Sequence, residues 1–276
     1  PENAGPPVHP RDSQLTPSSA RVRAAAQLGR RSSRRRTGRY LVEGPQCVRE
    51  LLRWQPELAD DVFVTRDFLD RSPEFVELLS ETPVHAHLVS DAVVRVVADA
   101  DTPPGIVAVA RWQPADLADS LGRLGPQGFG AVLSEVRDPG NLGTVIRAAD
   151  AAGAAFVVVT DASVDVTNPK VVRSTAGSLH HIDVVTGVAF PDLRAATGGT
   201  VRLVAADGYA STQLPEADLD GPHLWVFGNE ARGLPDDQVA ACDAAVAVPL
   251  HGRAESLNLG TAAAVCLYAS AMRPGS

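Results

Sequence analysis

From Gly128 onward the chain alternates short apolar runs with segments of helical spacing, and this alternation limits the fold more than any other feature. The runs at 129–136, 155–160, 182–185, 201–206, 224–228 and 244–249 have strand length, and several carry no polar face. Between and after them, 141–152, 169–176, 191–197, 236–241 and 257–271 read as helices. Strands alternating with helices predict an α/β unit built on a parallel sheet. Sheets of that kind bind ligands at the carboxyl ends of their strands, so the loops after the runs are the places to look for chemistry.

The loop after the first run is the most informative. Asp138-Pro139-Gly140 is strong turn chemistry. Asn141 stands where a helix N-cap belongs, and Gly153 is placed to end that helix. Val145, Ala148, Ala149 and Ala152 supply a small apolar face. Arg147 lies six residues after Asn141, about 9 Å along the helix. Taken alone, Arg147 also reads as a surface arginine laid over an apolar face. Two later loops have the same character. Leu224–Pro235 runs from a hydrophobic strand into a glycine-bounded polar loop, in which Gly228 lets a ligand approach the backbone and Glu230 sits at the strand's carboxyl end. Val248–Ala263 ends another strand, and Ser256 or Asn258 starts a last helix rich in small residues.

The first half reads as a smaller α/β unit. A helix begins at Ser18 or Ser19, and a strand at Tyr40–Glu43 follows a basic run. Next come a helix (Cys47–Arg53), a strand (Asp61–Thr65), a helix (Pro73–Leu79), a strand (Val84–Val89), a helix (Asp91–Ala98) and a strand (Ile106–Arg111). Pro114, Gly122, Gly125 and Pro126 mark 113–127 as a linker. The expected organisation is a flexible arm at 1–17, a first domain at 18–112, the linker, and a second domain at 128–276.

Charge is distributed unevenly. Residues 1–39 hold nine arginines against two acids, a net of +7; the rest holds 16 basic and 31 acidic residues, a net of −15. An acidic body with a basic arm meets an anionic polymer at one end. Arg30, Arg31, Arg34, Arg35, Arg36 and Arg39 are the expected nucleic-acid contacts, with Tyr40 available to stack on a base.

Several classes drop out. No run of 18 apolar residues predicts a membrane span, and no secretory signal is evident. Cys47, Cys242 and Cys266 are isolated, so neither a disulfide framework nor a zinc site is expected, and a cytoplasmic setting is. His85 and His87 share one strand face without a nearby third ligand, which predicts a polar face and no metal. The pair His180-His181 reads as the cationic end of a helix. The first strand is followed by no GxGxxG, and no GxxxxGK[ST] occurs, so dinucleotide and P-loop sites are not expected.

Three stretches together identify a resemblance. NLGTVIR at Asn141–Arg147, GNEARGL at Gly228–Leu234 and VPLHGRAESLN at Val248–Asn258 resemble the motifs of the SpoU (TrmH-like) branch of the SPOUT RNA methyltransferases. The stretch Val164–Ile182 is similar to the same family, and the likeness spans about 128–273. The first half resembles, more weakly, the ribosomal-protein-like α/β RNA-binding domain of rRNA-modifying members, including the thiostrepton-resistance type. The resemblance implies a SPOUT domain with a C-terminal trefoil knot, S-adenosylmethionine as cofactor, a homodimer, and methylation of a ribose 2′-hydroxyl in RNA. Large-subunit (23S-type) rRNA is the expected substrate. A tRNA substrate and a non-catalytic RNA-binding or ribosome-assembly factor are the alternatives. Carried over by residue, it implies that Gly228, Val248, Pro249, Leu250, Leu257 and Asn258 hold the cofactor. It further implies that Arg147, Asn141, Glu230, Ser256 and Asn258 serve the chemistry, and that Arg173 joins the RNA contacts.

The chemistry needs no metal, because a sulfonium is already a good leaving group. The task is to deliver a 2′-oxygen in line, and positioning can supply roughly 7–11 kcal/mol. In the family the arginine matching Arg147 is proposed as base. An arginine at its reference pKa is neutral in about one molecule in 10⁵ or fewer at pH 7, a cost of about 7 kcal/mol or more. Stabilising the developing oxyanion and anchoring phosphate is the preferred role, with base action left open.

Overall fold

The computed structural model describes residues 11–12 and 14–273. They form two compact units, one running to Gln113 and including Thr167–His181, the other comprising Pro114–Val166 and the chain from Ile182 onward. Of the expected arm, residues 1–10 and 13 lie outside the described residues. Arg11–Asp12 forms a short edge strand, and Leu15 packs against the core of the first unit.

The first unit holds a five-stranded mixed sheet. Its strands are β1 (Arg11–Asp12), β2 (Arg39–Glu43), β3 (Ala59–Val64), β4 (His85–Leu88) and β5 (Ile106–Arg111), in the order β1-β4-β3-β5-β2. β5 is antiparallel to both β2 and β3, while β4 runs parallel to β1 and β3. Val22, Ala25 and Leu28 from the first helical turns close one face of the sheet with Val93, Val94 and Val97.

The segment 167–181, expected in the second domain, belongs to this unit. Arg34 donates to Thr167 Oγ1 at 3.2 Å, and Arg173 donates to Glu43 Oε2 at 3.1 Å. At Gly177, φ is +102°, and a Cβ there would lie 2.5 Å from Glu50 Cγ, so only glycine lets the segment settle on the helix Pro45–Trp54.

The second unit is built on a seven-stranded sheet in which every recorded pairing is parallel. Its strands are β6 (Phe129–Leu133), β7 (Phe156–Thr160), β8 (Asp183–Val188), β9 (Arg202–Ala206), β10 (Thr212–Gln213), β11 (His223–Phe227) and β12 (Ala244–Ala247). They stand in the order β10-β12-β9-β11-β6-β7-β8, so all carboxyl ends share one edge. The expected strands are present, together with the short β10. Alternate residues serve opposite faces. Val132, Phe156, Val158, Leu203, Leu224 and Val226 face Phe190 and Leu193. On the other face lie the helices Pro139–Ala151 and Leu259–Ala271. These two come very close, since a Cβ on Gly260 would stand 2.6 Å from Thr144 Cγ2.

The expected linker at 113–127 is ordered. Asp116 accepts from Asp119 N to cap a helix at Leu117–Gly122, and Ala115 bridges to Val185. Leu117, Leu121 and Leu124 repeat at helical spacing and pack against the sheet core, which is why the segment is not free.

Under the C-terminal helix lies a buried polar triad. His223 Nδ1–H donates to Gly221 O at 3.0 Å, and Nε2 accepts from the Ser270 hydroxyl at 2.8 Å. Trp225 Nε1 donates to the same Ser270 Oγ at 2.9 Å. Burial lowers the His223 pKa to about 4, so the ring is neutral and its acceptor is available. In the first unit burial likewise lowers the His180 pKa to about 3. His180 is a neutral core residue bonded through Nδ1 to Gln55 at 3.1 Å, not the cationic helix end expected. The three cysteines are free thiols, and burial raises them to about 11 for Cys47 and about 12 for Cys242 and Cys266. Among the described residues, no helix is long and apolar enough to cross a membrane.

Candidate active site

At the carboxyl edge of the second unit's sheet, the loops after β6, β11 and β12 bring three of the expected residues together. Asn141 Nδ2 donates to Glu230 Oε1 at 3.3 Å, and Asn258 Nδ2 donates to Asn141 Oδ1 at 3.0 Å. Residues separated by 89 and 117 positions thus form one hydrogen-bonded chain. Asn258 also caps the last helix, its Oδ1 accepting from Gly260 N at 2.9 Å.

The expected cap at Asn141 is corrected. The N-cap is Asp138, whose Oδ1 accepts from Asn141 N at 2.7 Å, with Pro139 in the first helical position. The aspartate wins because its carboxylate complements the helix N-terminus. Its consequence is chemical: with the backbone satisfied by Asp138, the Asn141 amide is free to meet Glu230 and Asn258.

The loop after β11 closes on itself. Asn229 N donates to Gly233 O at 3.0 Å, and Gly233 N donates to Asn229 O at 2.8 Å. Gly228 stands under this turn, where a Cβ would lie 2.4 Å from Gly233 C and Leu234 N. Glu230, carried on the turn, also accepts from Asp138 N at 3.3 Å. The result is an open cleft of about 830 Å³ lined by Arg137, Asp138, Asn141, Asn229, Glu230 and Arg232. Arg137, Asp138 and Asn229 were not anticipated. Arg137 carries no sequence signal that would single it out, whereas Asp138 and Asn229 flank motif residues.

Arg147 is exposed on the helix Pro139–Ala151 and does not line this cleft. Ser256 is exposed in the loop between β12 and the last helix. That loop also carries Leu250 (41% exposed) and Leu257 (36% exposed). Among the described residues, none from Leu250 to Leu257 makes a hydrogen bond, so backbone donors and acceptors are available beside two accessible apolar side chains. This combination fits a nucleoside held by main-chain groups and apolar contacts. Val248 and Pro249 are half-buried where β12 ends.

The basic residues of the first unit divide. Arg30, Arg35 and Arg36 are exposed. Arg39 pairs with Asp60 at 2.7 Å yet stays half exposed. Arg34 is only 5% exposed and donates to Leu28 O and Gly29 O at 3.0 and 2.9 Å, so it serves the fold and not RNA. Arg173, 31% exposed, is held by Glu43 and Asp99, each at 3.1 Å, so its charge is matched within the first unit. Tyr40 is buried edge-on against Trp112 and cannot stack on a base.

A parallel α/β sheet with an asparagine–glutamate–asparagine cluster at its carboxyl edge, reached from three separate loops, defines a class. The SpoU rRNA Methylase family model matches residues 129–268, and the chain belongs to that family. An MRM3-like substrate binding domain matches residues 19–108. The chain is 32% identical to the Bacillus subtilis (strain 168) 23S rRNA (guanosine(2553)-2′-O)-methyltransferase RlmP, over 90% of this chain and 94% of that protein. It is 30% identical to a Streptomyces viridochromogenes 23S rRNA (uridine(2479)-2′-O)-methyltransferase, over 92% and 90% of the two chains. Among solved structures, the SpoU methyltransferase AviRb from S. viridochromogenes in complex with the cofactor AdoMet is similar, with a TM-score of 0.77 and 27% identity. That match covers 92% of this chain and 97% of the other.

Proposed function

We propose that this protein is an S-adenosylmethionine-dependent methyltransferase that methylates a ribose 2′-hydroxyl of 23S-type rRNA. The observation that carries the reading is the Asn141–Glu230–Asn258 hydrogen-bonded chain at the mouth of the sheet. A non-catalytic RNA binder has no need for those three side chains in one place. Relatives named as 23S rRNA 2′-O-methyltransferases, matched over most of both chains, support the substrate class and the reaction.

The cofactor supplies an activated methyl group on a sulfonium. In this reading Gly228, Val248, Pro249, Leu250 and Leu257 hold it, largely through backbone atoms. Asn141, Glu230 and Asn258 would orient the ribose at the mouth of the cleft, the positioning task that dominates such a reaction. Ser256 shapes the loop that closes over them. Arg147 stabilises the negative charge developing on the 2′-oxygen.

The return of the C-terminal helix to the helix Pro139–Ala151, after β12 on the far side of β9, supports a trefoil knot around the cofactor loop. Val265 and Tyr268 on the last helix, and Met272 at its C-cap, are 39%, 40% and 73% exposed. This apolar stripe supports a homodimer through that face. Dimerisation would also explain why Arg147 does not line its own chain's cleft, since each protomer would present it to the partner's site. The first unit binds the rRNA, with Arg30, Arg35, Arg36 and Arg39 as phosphate contacts, and the protein works in the cytoplasm, where rRNA is made and assembled.

The test is methyl transfer from labelled S-adenosylmethionine to bulk rRNA and bulk tRNA in parallel, with the modified ribose mapped by reverse transcription. Label on one rRNA ribose is expected. Arg147→Ala should keep cofactor affinity and lose at least 100-fold in turnover. Label confined to tRNA would overturn the substrate, and failure to bind cofactor would overturn the activity.

A further inference from the structure

The turn that enters the active-site helix is pinned at nearly every backbone group. Glu135 N donates to Thr160 Oγ1 at 3.4 Å, and Glu135 O accepts from Asn229 Nδ2 at 3.0 Å. Val136 N donates to Ser163 Oγ at 3.1 Å, and Val136 O accepts from Val164 N at 2.8 Å. Asp138 N donates to Glu230 Oε1. Glu135 holds a φ of +55°, a left-handed conformation that a glutamate adopts only when its surroundings demand it. A turn held this firmly fixes where the next side chain, Arg137, leaves the backbone.

Arg137 projects from that turn at the cleft. The other charged groups lining it are engaged. Asp138 caps the helix, Glu230 accepts from Asn141 and Asp138, and Arg232 lies 3.6 Å from Glu135. Among the described residues, Arg137 makes no hydrogen bond or ion pair. A guanidinium on a rigid turn, beside a cluster suited to orient a ribose, is placed to receive an anion. The ribose hydroxyl to be methylated always arrives with an anion attached, because the neighbouring 3′-oxygen carries a phosphodiester. A planar guanidinium can grip two of its oxygens.

We propose that Arg137 is the anchor for the phosphodiester on the 3′ side of the target ribose, and that it sets the register in which the 2′-oxygen enters the cleft. The assignment rests on the ribose-methylation reading above. It is tested with Arg137→Ala and Arg137→Lys by methyl transfer to rRNA and by binding of the same RNA across a potassium chloride series.

Because Arg137 is exposed and, among the described residues, makes no hydrogen bond or ion pair, both variants should match wild type in thermal midpoint and S-adenosylmethionine affinity. Arg137→Ala should raise KM for RNA about 10- to 100-fold, the loss expected for a charged hydrogen bond, with kcat within threefold. The slope of log affinity against log salt should fall by about 0.7–0.9, one phosphate contact. Arg137→Lys should restore the slope and only part of the affinity, since an ammonium cannot form the fork. An unchanged KM and slope in Arg137→Ala would overturn the proposal. So would a loss confined to kcat, or a lysine variant no better than alanine. If wild type transfers methyl to no RNA, the reaction reading fails, while the salt slopes of wild type and Arg137→Ala still decide whether this arginine holds a phosphate.

Discussion

Gly228→Ala adds one methyl group where the structure has no room for it. Its Cβ would lie 2.4 Å from Gly233 C and Leu234 N, and 2.5 Å from Gly233 O. Ordinary contact begins about 1 Å farther out, and the obstructing atoms are all backbone, so no side chain can swing aside. The φ at Gly228 is not among the positive values, so alanine is barred by space alone. Relief requires the 229–233 turn to open by about 1 Å, with loss of its two hydrogen bonds at 3.0 and 2.8 Å. Overpacking of this kind costs about 1–3 kcal/mol, which for a unit of this size lowers the thermal midpoint by about 3–10 °C. The larger effect falls on the site. Glu230 rides on the turn and holds Asn141 and Asp138 N at 3.3 Å, near the limit of a hydrogen bond. A shift of 1 Å separates them, and a misplacement of that size costs about 100-fold in rate. Calorimetric melting, cofactor titration and single-turnover methyl transfer on one preparation would measure all three effects. A variant with wild-type turnover, and a midpoint within 1 °C, would refute the argument that this glycine is required by the closed turn.

Other expectations rest on different parts of the molecule. Ser270→Ala leaves His223 Nε2 and Trp225 Nε1 buried without a partner and should destabilise the second unit by about 2–5 kcal/mol; a loss below 1 kcal/mol in denaturant unfolding would sink the triad's role. His223 has a folded pKa of about 4 against 6.5 as a free side chain, so its contribution is complete above pH 6.5 and fades as pH falls toward 4. His180, at about 3, adds to the same trend in the first unit. Unfolding free energy should therefore drop by up to about 1.4 kcal/mol per pH unit per histidine below pH 6.5, and a flat profile between pH 6.5 and 4.5 would contradict it. Arg34→Ala should destabilise the first unit by about 1.5–3 kcal/mol without reducing the salt dependence of RNA binding. Arg36→Ala should show the reverse, which comparing the two variants by melting and by RNA titration would decide.

Much of the architecture was legible because it follows from local pattern. The uninterrupted apolar runs of β6, β7 and β11 need cover on both faces, and helices between them supply it with strands kept parallel. At 113–127 the prolines and glycines at the ends signal a linker, while Leu117, Leu121 and Leu124 between them form a helical stripe that packs on the sheet core. Asp138 and Asn141 both suit a helix N-terminus by residue type, and only the bond at 2.7 Å from Asn141 N to Asp138 Oδ1 distinguishes them. The arginines misled for a related reason. Arg34 and Arg36 stand two residues apart in one basic run, on opposite sides of a short helix, and burial of one of them is decided by what packs over it.

By itself, then, the sequence determined that this chain forms α/β units with a parallel sheet. It also determined which loops carry chemistry, because strand pattern, turn residues and motif spacing are local properties. Only the tertiary structure decided that Asn141, Glu230 and Asn258 join in one chain, that 167–181 packs with the first unit, and that Arg137 stands at the cleft with no hydrogen bond or ion pair among the described residues. Those facts depend on which distant groups find each other, and pairings across about a hundred residues have no local signature.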